Sequence, residues 1–351
     1  MRLEQALTAV RQVDEQSKLE TQKRLDSIIK PLDSLGLLER HLVKIAGMTA
    51  SHRFDFSNKA VVVFCADNGV VAQDITQSSQ EVTAIVSENL ATGDTCLCAM
   101  SRVAGARVIP VDIGIATDID VPGLLRRKVA YGTRDFSRYP AMTRQQAEAA
   151  LEVGIQLALE LQAAGITMLA TGEMGIGNTA SSAAVAAVLL GLPPCETTGR
   201  GAGLSREGLE RKVAVIEKAL ELHRPNRNDA LDVLAKVGGY DIAGMAGLCI
   251  GGAVCGIPVV LDGYISTVAA LVASRLCPDV ASFLLPSHLS PEPACGLVLR
   301  ELGLEPLLHA GMRLGEGTGA VATFPLYDMI LAVYNEMVTF ADEDMEAYAP
   351  L

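Results

Sequence analysis

The chain has 351 residues, half of them hydrophobic and 20% charged, with a formal net charge of -12 at pH 7. That length fits one large domain or two moderate ones, and the acidic balance without any Lys/Arg block argues against nucleic-acid binding. Trp is absent and aromatics make up 4%, so the chain offers no stacking platform for single strands.

The first segment, 2–30, reads as a polar helix stopped by Pro31, and 33–47 as a second, more apolar one. Amphipathic and charged, the N-terminus is unlike a secretory leader. From residue 60 the pattern changes. Short apolar runs at 60–66, 107–111, 166–170, 257–261 and 282–285 each end in a polar or glycine-containing turn. Helical stretches separate them. Wholly apolar strands alternating with helices predict an α/β fold, a parallel sheet with helices on both faces. In such a sheet, ligands bind outside the carboxyl ends of the strands, where Asp67, Asp112, Glu173, Asp262 and Ser287 collect.

Between the strands the helix signals are ordinary. Thr143 and Gln146 form a capping box for a helix running through Ala164, closed by Gly165. Ser205 caps a helix to His223. The run 242–261 is uncharged and carries two GxxxG spacings, Gly247/Gly251 and Gly252/Gly256. Pro258 interrupts it, so a buried small-residue helix over 242–255 followed by a core strand is expected rather than a membrane span. A last helix is expected over 325–340, ahead of an acidic tail. The terminal helices fall outside the βα alternation. They predict a small helical domain from residues 1–50 and 320–351, beside a large α/β domain over 55–319.

Eight cysteines, at 65, 96, 98, 195, 249, 255, 277 and 295, show neither CxxC pairs nor metal-finger spacing. Neither a metal site nor a disulfide framework is expected, and the compartment expected is the reducing cytoplasm.

Two glutamates stand between glycines, in Gly172-Glu173-Met174-Gly175-Ile176-Gly177-Asn178-Thr179 and in Gly315-Glu316-Gly317. Glycine lets a backbone turn tightly and a ligand approach closely. The first segment follows a strand and opens an Ala-rich helix through Leu190, an arrangement that binds phosphate. It lacks the GKS/T of a triphosphate loop. A second glycine loop, Gly199 to Gly203, precedes Lys212, and Ser287-His288-Leu289-Ser290 supplies hydroxyls. A carboxylate base beside anion-binding loops suits transfer at a phosphorylated sugar, where a carboxylate takes a proton and stabilises positive charge at the anomeric carbon.

In order, the segments GEMGIGNT, RGAGLS, KVGGYDIAGMAG, GIPVVLDGYIS, PSHLSPEPA and RLGEGTGA resemble the nicotinate-nucleotide–dimethylbenzimidazole phosphoribosyltransferases of cobalamin assembly. ADNGV and KPLDSLGLLE match as well, and the resemblance covers nearly the whole chain. It implies dimers, a helical domain built from both termini, and no cofactor or metal. The reaction it implies moves phosphoribose from nicotinate mononucleotide to an aromatic base. Glu316 then matches the general base and Glu173 a second functional carboxylate. Gly175, Gly177, Asn178, Thr179, Gly201, Lys212, Asp262 and Ser290 match the phosphoribosyl and nicotinate pocket. Ser78, Val86, Met174 and Leu314 match the acceptor pocket. Relatives using dimethylbenzimidazole often carry Gln where this chain has Val86. Phenol or p-cresol is therefore the alternative acceptor, with the chain paired to a paralogous subunit rather than to its own copy. A non-catalytic supporting subunit is a further possibility, opposed by the retention of Glu173, Glu316 and Lys212.

Overall fold

The computed structural model describes residues 1–348; the last three residues of the expected terminal domain lie outside that range. Six parallel strands form one sheet in the order β3-β2-β1-β4-β5-β6. They are β1 (Lys59–Ala66), β2 (Ala106–Gly114), β3 (Leu125–Arg126), β4 (Met168–Met174), β5 (Val259–Leu261) and β6 (Leu284–Pro286). At the centre, β1 pairs with β2 through Lys59↔Ala106 to Cys65↔Asp112 and with β4 through Lys59↔Met168 to Cys65↔Met174. Every residue of β1 and β4 is buried, as their continuous apolar runs require. Lys59, the single charge in β1, reaches Asp328 at 2.7 Å.

The β1 and β4 crossovers run to opposite edges of the sheet, so right-handed connections put their helices on opposite faces. Glu81–Thr92 and Cys96–Ala104 bridge β1 to β2, while Tyr240–Cys255 packs on β1 and β4 before β5. Tyr240–Cys255 takes in most of the uncharged run of the sequence and, Val254 apart, is buried against the sheet and the helices Arg144–Ala163 and Tyr264–Leu276. Among the described residues no helix is long and apolar enough to cross a membrane.

Several expected boundaries move. The segment 2–30 is two helices, Leu3–Ala9 and Glu15–Ser27. The break is fixed by Arg11 N donating to Ala253 O at 3.3 Å, and by Asp14 restarting the helix through a 2.8 Å bond from Ser17 N. The next helix starts at Leu37 because Asp33 and Gly36 adopt φ of 51° and 55°. The terminal helix is Thr318–Glu336, with Pro325 inside it rather than at its start. Asp262 determines that start by accepting from the first-turn amides, as described below. Beyond Glu336 the chain is extended where Ile28 bridges Thr339, and Phe340 N donates to Ser27 O at 3.0 Å. Both termini are thereby joined. Strand β4 runs past Ala170 to Met174, so Glu173 belongs to the strand and not to a loop after it. The short β3 lacks any apolar run of its own; its existence depends on pairing Val111↔Leu125.

Candidate active site

Because the connections leave β1 and β4 in opposite directions, their carboxyl ends border a crevice. A cavity of ≈ 280 Å³ occupies it. Its walls hold Glu173, Met174, Gly175, Gly177, Asn178 and Thr179 from the end of β4 and the helix that follows. Ser78 and Val86 come from the segment after β1, Gly201 from the second glycine loop, and Asp262, Ser290, Leu314 and Glu316 from beyond β5. Of the residues that the family resemblance assigns to the site, Lys212 alone is not in the wall, and of the strand-end residues Asp67, Asp112 and Ser287 lie outside it as well. Lys212 lies behind Gly201, from which a Cβ would stand 3.6 Å from the Lys212 Nζ.

Glu316 sits at φ 63°, between Gly315 at 88° and Gly317 at 101°. Three successive left-handed residues include one that is not glycine, and such a strained position persists only where its surroundings enforce it. Asp262, at the end of β5, does so. Its Oδ1 accepts from Gly319 N at 2.7 Å and Ala320 N at 3.3 Å, and its Oδ2 from Gly317 N at 3.1 Å. This carboxylate caps the Thr318–Glu336 helix and places the loop directly over β4. A Cβ on Gly172 would overlap the Glu316 carbonyl oxygen, which is why glycine is needed there. The Glu316 backbone amide donates to Glu173 Oε1 at 3.3 Å. Its own Oε2 is buried without a hydrogen-bond partner. Burial, with the Asp262 charge adding to it, raises the Glu316 carboxyl above the usual range.

Glu173 is buried more deeply. Asn178 Nδ2 donates to Glu173 Oε2 and also to Asp241 Oδ2, the latter at 2.9 Å. Burial, then the charges of Asp241 and Asp262, push Glu173 well above the ordinary glutamate value. Burial likewise raises Asp241 to about 6. The Asn178 side chain is thus engaged by two carboxylates on the floor of the site.

On the far wall, 175–179 opens the Asn178–Leu190 helix, with Gly177 as N-cap at φ 92°. A helix N-terminus presents N–H groups and a positive dipole end to an anion. Lys212 Nζ donates to Thr179 Oγ1 at 2.8 Å and to Gly199 O at 3.2 Å. Its helix, Arg206–His223, is capped by Ser205, which accepts from Gly208 N at 3.1 Å. Burial lowers the Lys212 amine to about 8, against an opposing pull from Glu292. Glu292 Oε1 accepts from Gly201 N at 2.9 Å and pins the second glycine loop. Ser290 Oγ accepts from Glu292 N at 3.4 Å. The opposite wall is apolar. Val82 and Val86, one turn apart on Glu81–Thr92, face the cavity with Met174 and Leu314. Leu314 is 55% exposed, which puts it at the mouth. No cluster of His, Cys, Asp or Glu suited to a metal ion occurs among the described residues.

Sequence reasoning missed Thr76, Val82, Glu292, Arg313 and Tyr264 in the wall, and Asp241 beneath it. Glu292 and Asp241 lie inside PSHLSPEPA and KVGGYDIAGMAG. The available signal was a single acid at the start of an otherwise uncharged helix, and another in a proline-rich turn.

A helix N-terminus facing two carboxylates across a crevice at the strand-order switch fits a phosphoribosyltransferase, and the family model described as phosphoribosyltransferase matches residues 10–344. More narrowly, the chain belongs to the nicotinate-nucleotide–dimethylbenzimidazole phosphoribosyltransferase family. It is 47% identical to the member from Acetivibrio thermocellus over 329 residues, 94% of each chain. With the member from Ruminiclostridium cellulolyticum it shares 42% over 351 residues, the whole of both. The crystal structure of CobT from Thermus thermophilus superimposes with a TM-score of 0.90 at 38% identity, over 94% of this chain and 99% of that one.

Proposed function

We propose that this enzyme transfers the 5-phosphoribosyl group of nicotinate mononucleotide to a lower-ligand base of the 5,6-dimethylbenzimidazole type, releasing nicotinate for cobamide assembly. The amides of 175–179, Lys212 and Ser290 hold the phosphate, and the ribose spans the crevice toward Glu173. One ring nitrogen of the acceptor attacks the anomeric carbon while the other gives its proton to Glu316. The bond to nicotinate breaks with its electron pair on the pyridinium nitrogen, which leaves as a neutral ring and requires no general acid. Attack from the opposite face gives the α-riboside phosphate. Glu173, ionised once the cationic ring is bound, stabilises the positive charge that builds on the ribose.

The observation that carries this reading is the buried, unpartnered Oε2 of Glu316, held over the cavity at a left-handed residue. A pKa raised toward neutrality suits a base that must take and later release a proton. The test is incubation of the purified chain with nicotinate mononucleotide and dimethylbenzimidazole. Stoichiometric nicotinate and α-riboside phosphate are expected; hydrolysis to ribose 5-phosphate, or no turnover, would refute the reading.

The apolar wall of Val82, Val86, Met174 and Leu314 favours a second acceptor class, phenol or p-cresol, whose hydroxyl proton Glu316 also reaches. In that case a paralogous chain replaces the second copy in the dimer, and product analysis with phenol separates the two. The joined termini support a helical unit of residues 1–50 and 320–351 beside the 55–319 body. Arg24, for example, donates to the carbonyls of Tyr334 at 3.2 Å and Met337 at 2.7 Å. The cytoplasm suits the eight free thiols.

A further inference from the structure

Asp241 lies outside the cavity wall, yet it is completely buried at the start of Tyr240–Cys255, directly below Glu173. Its Oδ1 accepts from Ile242 N at 3.0 Å and its Oδ2 from Asn178 Nδ2 at 2.9 Å. The other hydrogen of that same amide goes to Glu173 Oε2. Three elements hold the pair in place. A Cβ on Gly175 would stand 2.7 Å from Asp241 Oδ2, and one on Gly239 would overlap Asp241 Oδ1. Asn68, after β1, completes the floor and accepts from Ser181 Oγ at 2.8 Å. We propose that Asp241 is a positioning residue for the transfer: through the two-handed Asn178 amide it fixes the Glu173 carboxyl and couples its proton to the arrival of the nucleotide's pyridinium nitrogen.

The charges around the pair explain why coupling follows. Asp262 faces Glu173 from the end of β5, Glu316 from the loop above, and Asp67 and Cys65 from the end of β1. Each of these groups is acidic. The cationic or basic groups nearby are Arg313 and His288 in the wall, His288 on the Asp262 side, and Lys212, whose ammonium is directed to Thr179 and Gly199 rather than to the pair. Two buried carboxyls sharing one neutral amide cannot both ionise cheaply without a positive partner. A pyridinium ring beside Glu173 supplies that partner, so the proton leaves to solvent on binding. It returns when bond cleavage leaves the nicotinate ring nitrogen uncharged.

The proposal rests on the phosphoribosyl-transfer reading, and its test is chosen to fail separately from it. Calorimetric titration of nicotinate mononucleotide into the full chain near pH 6.5, in buffers of different ionisation enthalpy, counts protons released. Ribose 5-phosphate serves as the control for the phosphate's own titration. The wild type is expected to release more protons with the nucleotide than with the control. Asp241→Asn is expected to lose most of that excess, to lose about tenfold in kcat, the loss of a charge-assisted hydrogen bond, and to shift the acid limb of kcat/KM to lower pH. The same proton count and the same pH profile in Asp241→Asn would overturn the proposal while turnover by the wild type leaves the parent reading intact. Should the variant fail to fold, the wild-type titration decides alone: no excess release over ribose 5-phosphate overturns it.

Discussion

Glycine is concentrated in two regions of this protein and does opposite work in them. Where Arg144–Ala163 crosses Tyr240–Cys255, a Cβ on Gly154 would overlap Gly244 O and one on Gly247 would overlap Leu151 O. Here glycine brings two backbones into contact, and the gain is packing. At the crevice, Gly172, Gly175, Gly315 and Gly317 serve a different end. They bring backbone and carboxylates together over β4 at positive φ or at a distance no side chain permits. Among the described residues, the buried carboxylate oxygens without partners are in Glu292 and Glu316 at the crevice and in Asp67 after β1, and none is in the helix pair. One region stores stability, and the other uses it to hold charge where water and counter-ions are scarce.

The contrast can be broken first at the helix pair. Gly247→Leu places a side chain against a main-chain oxygen and is expected to cost roughly 3 kcal/mol or more. Urea denaturation reads the loss, while the turnover of molecules still folded stays near wild type. At the crevice the order reverses: Lys212→Met leaves stability nearly unchanged or improved, because an amine is removed from a buried site. The KM for nicotinate mononucleotide is expected to rise by about 10–100-fold, the range for a hydrogen bond to a charged group. In the wild type the same KM should rise as pH passes about 8, where Lys212 loses its proton. A flat KM there would place the phosphate elsewhere.

The stored charge also has a pH signature. Asp241 is raised from 3.8 to about 6. A raised folded value means its contribution to stability is fully present below the unfolded pKa and is lost as pH rises through about 6. Asp241→Asn should therefore remove a decline on the order of 1–3 kcal/mol between about pH 4 and pH 8, seen as urea midpoints that fall less steeply than those of the wild type, with the declines from the raised Glu173 and Glu316 remaining. The smallest effect is expected at the acceptor wall. Val86→Gln should leave folding and nicotinate release intact and change the ratio of benzimidazole to phenol product by a few fold, about 1 kcal/mol of differential binding. An unchanged ratio would remove Val86 from the acceptor pocket.

Five of the six strands were legible because each carries a short apolar run, although the first half of β2 is only partly buried, and the parallel sheet followed from their alternation with helices. β3 was not, since Leu125 and Arg126 carry no pattern and pair only because β2 is already there. Pro325 was misleading for a related reason. A proline ordinarily marks a helix start, but here Asp262, more than fifty residues earlier in the chain, supplies the cap that starts the helix at Thr318. Within the site, Glu173, Glu316 and the loop 175–179 were marked by their glycines. Asp241 was hidden by an apolar helix, and its partner Asn178 is joined to it only through the fold.

The central claim is that Glu316 takes the acceptor's proton. The direct measurement is single-turnover nicotinate release by wild type and Glu316→Gln at saturating nicotinate mononucleotide and dimethylbenzimidazole, alongside thermal melts of both. We predict a loss of about 10²–10⁴-fold, the range for a positioned base, with an unchanged melting temperature. Release within a few fold of wild type would contradict the account.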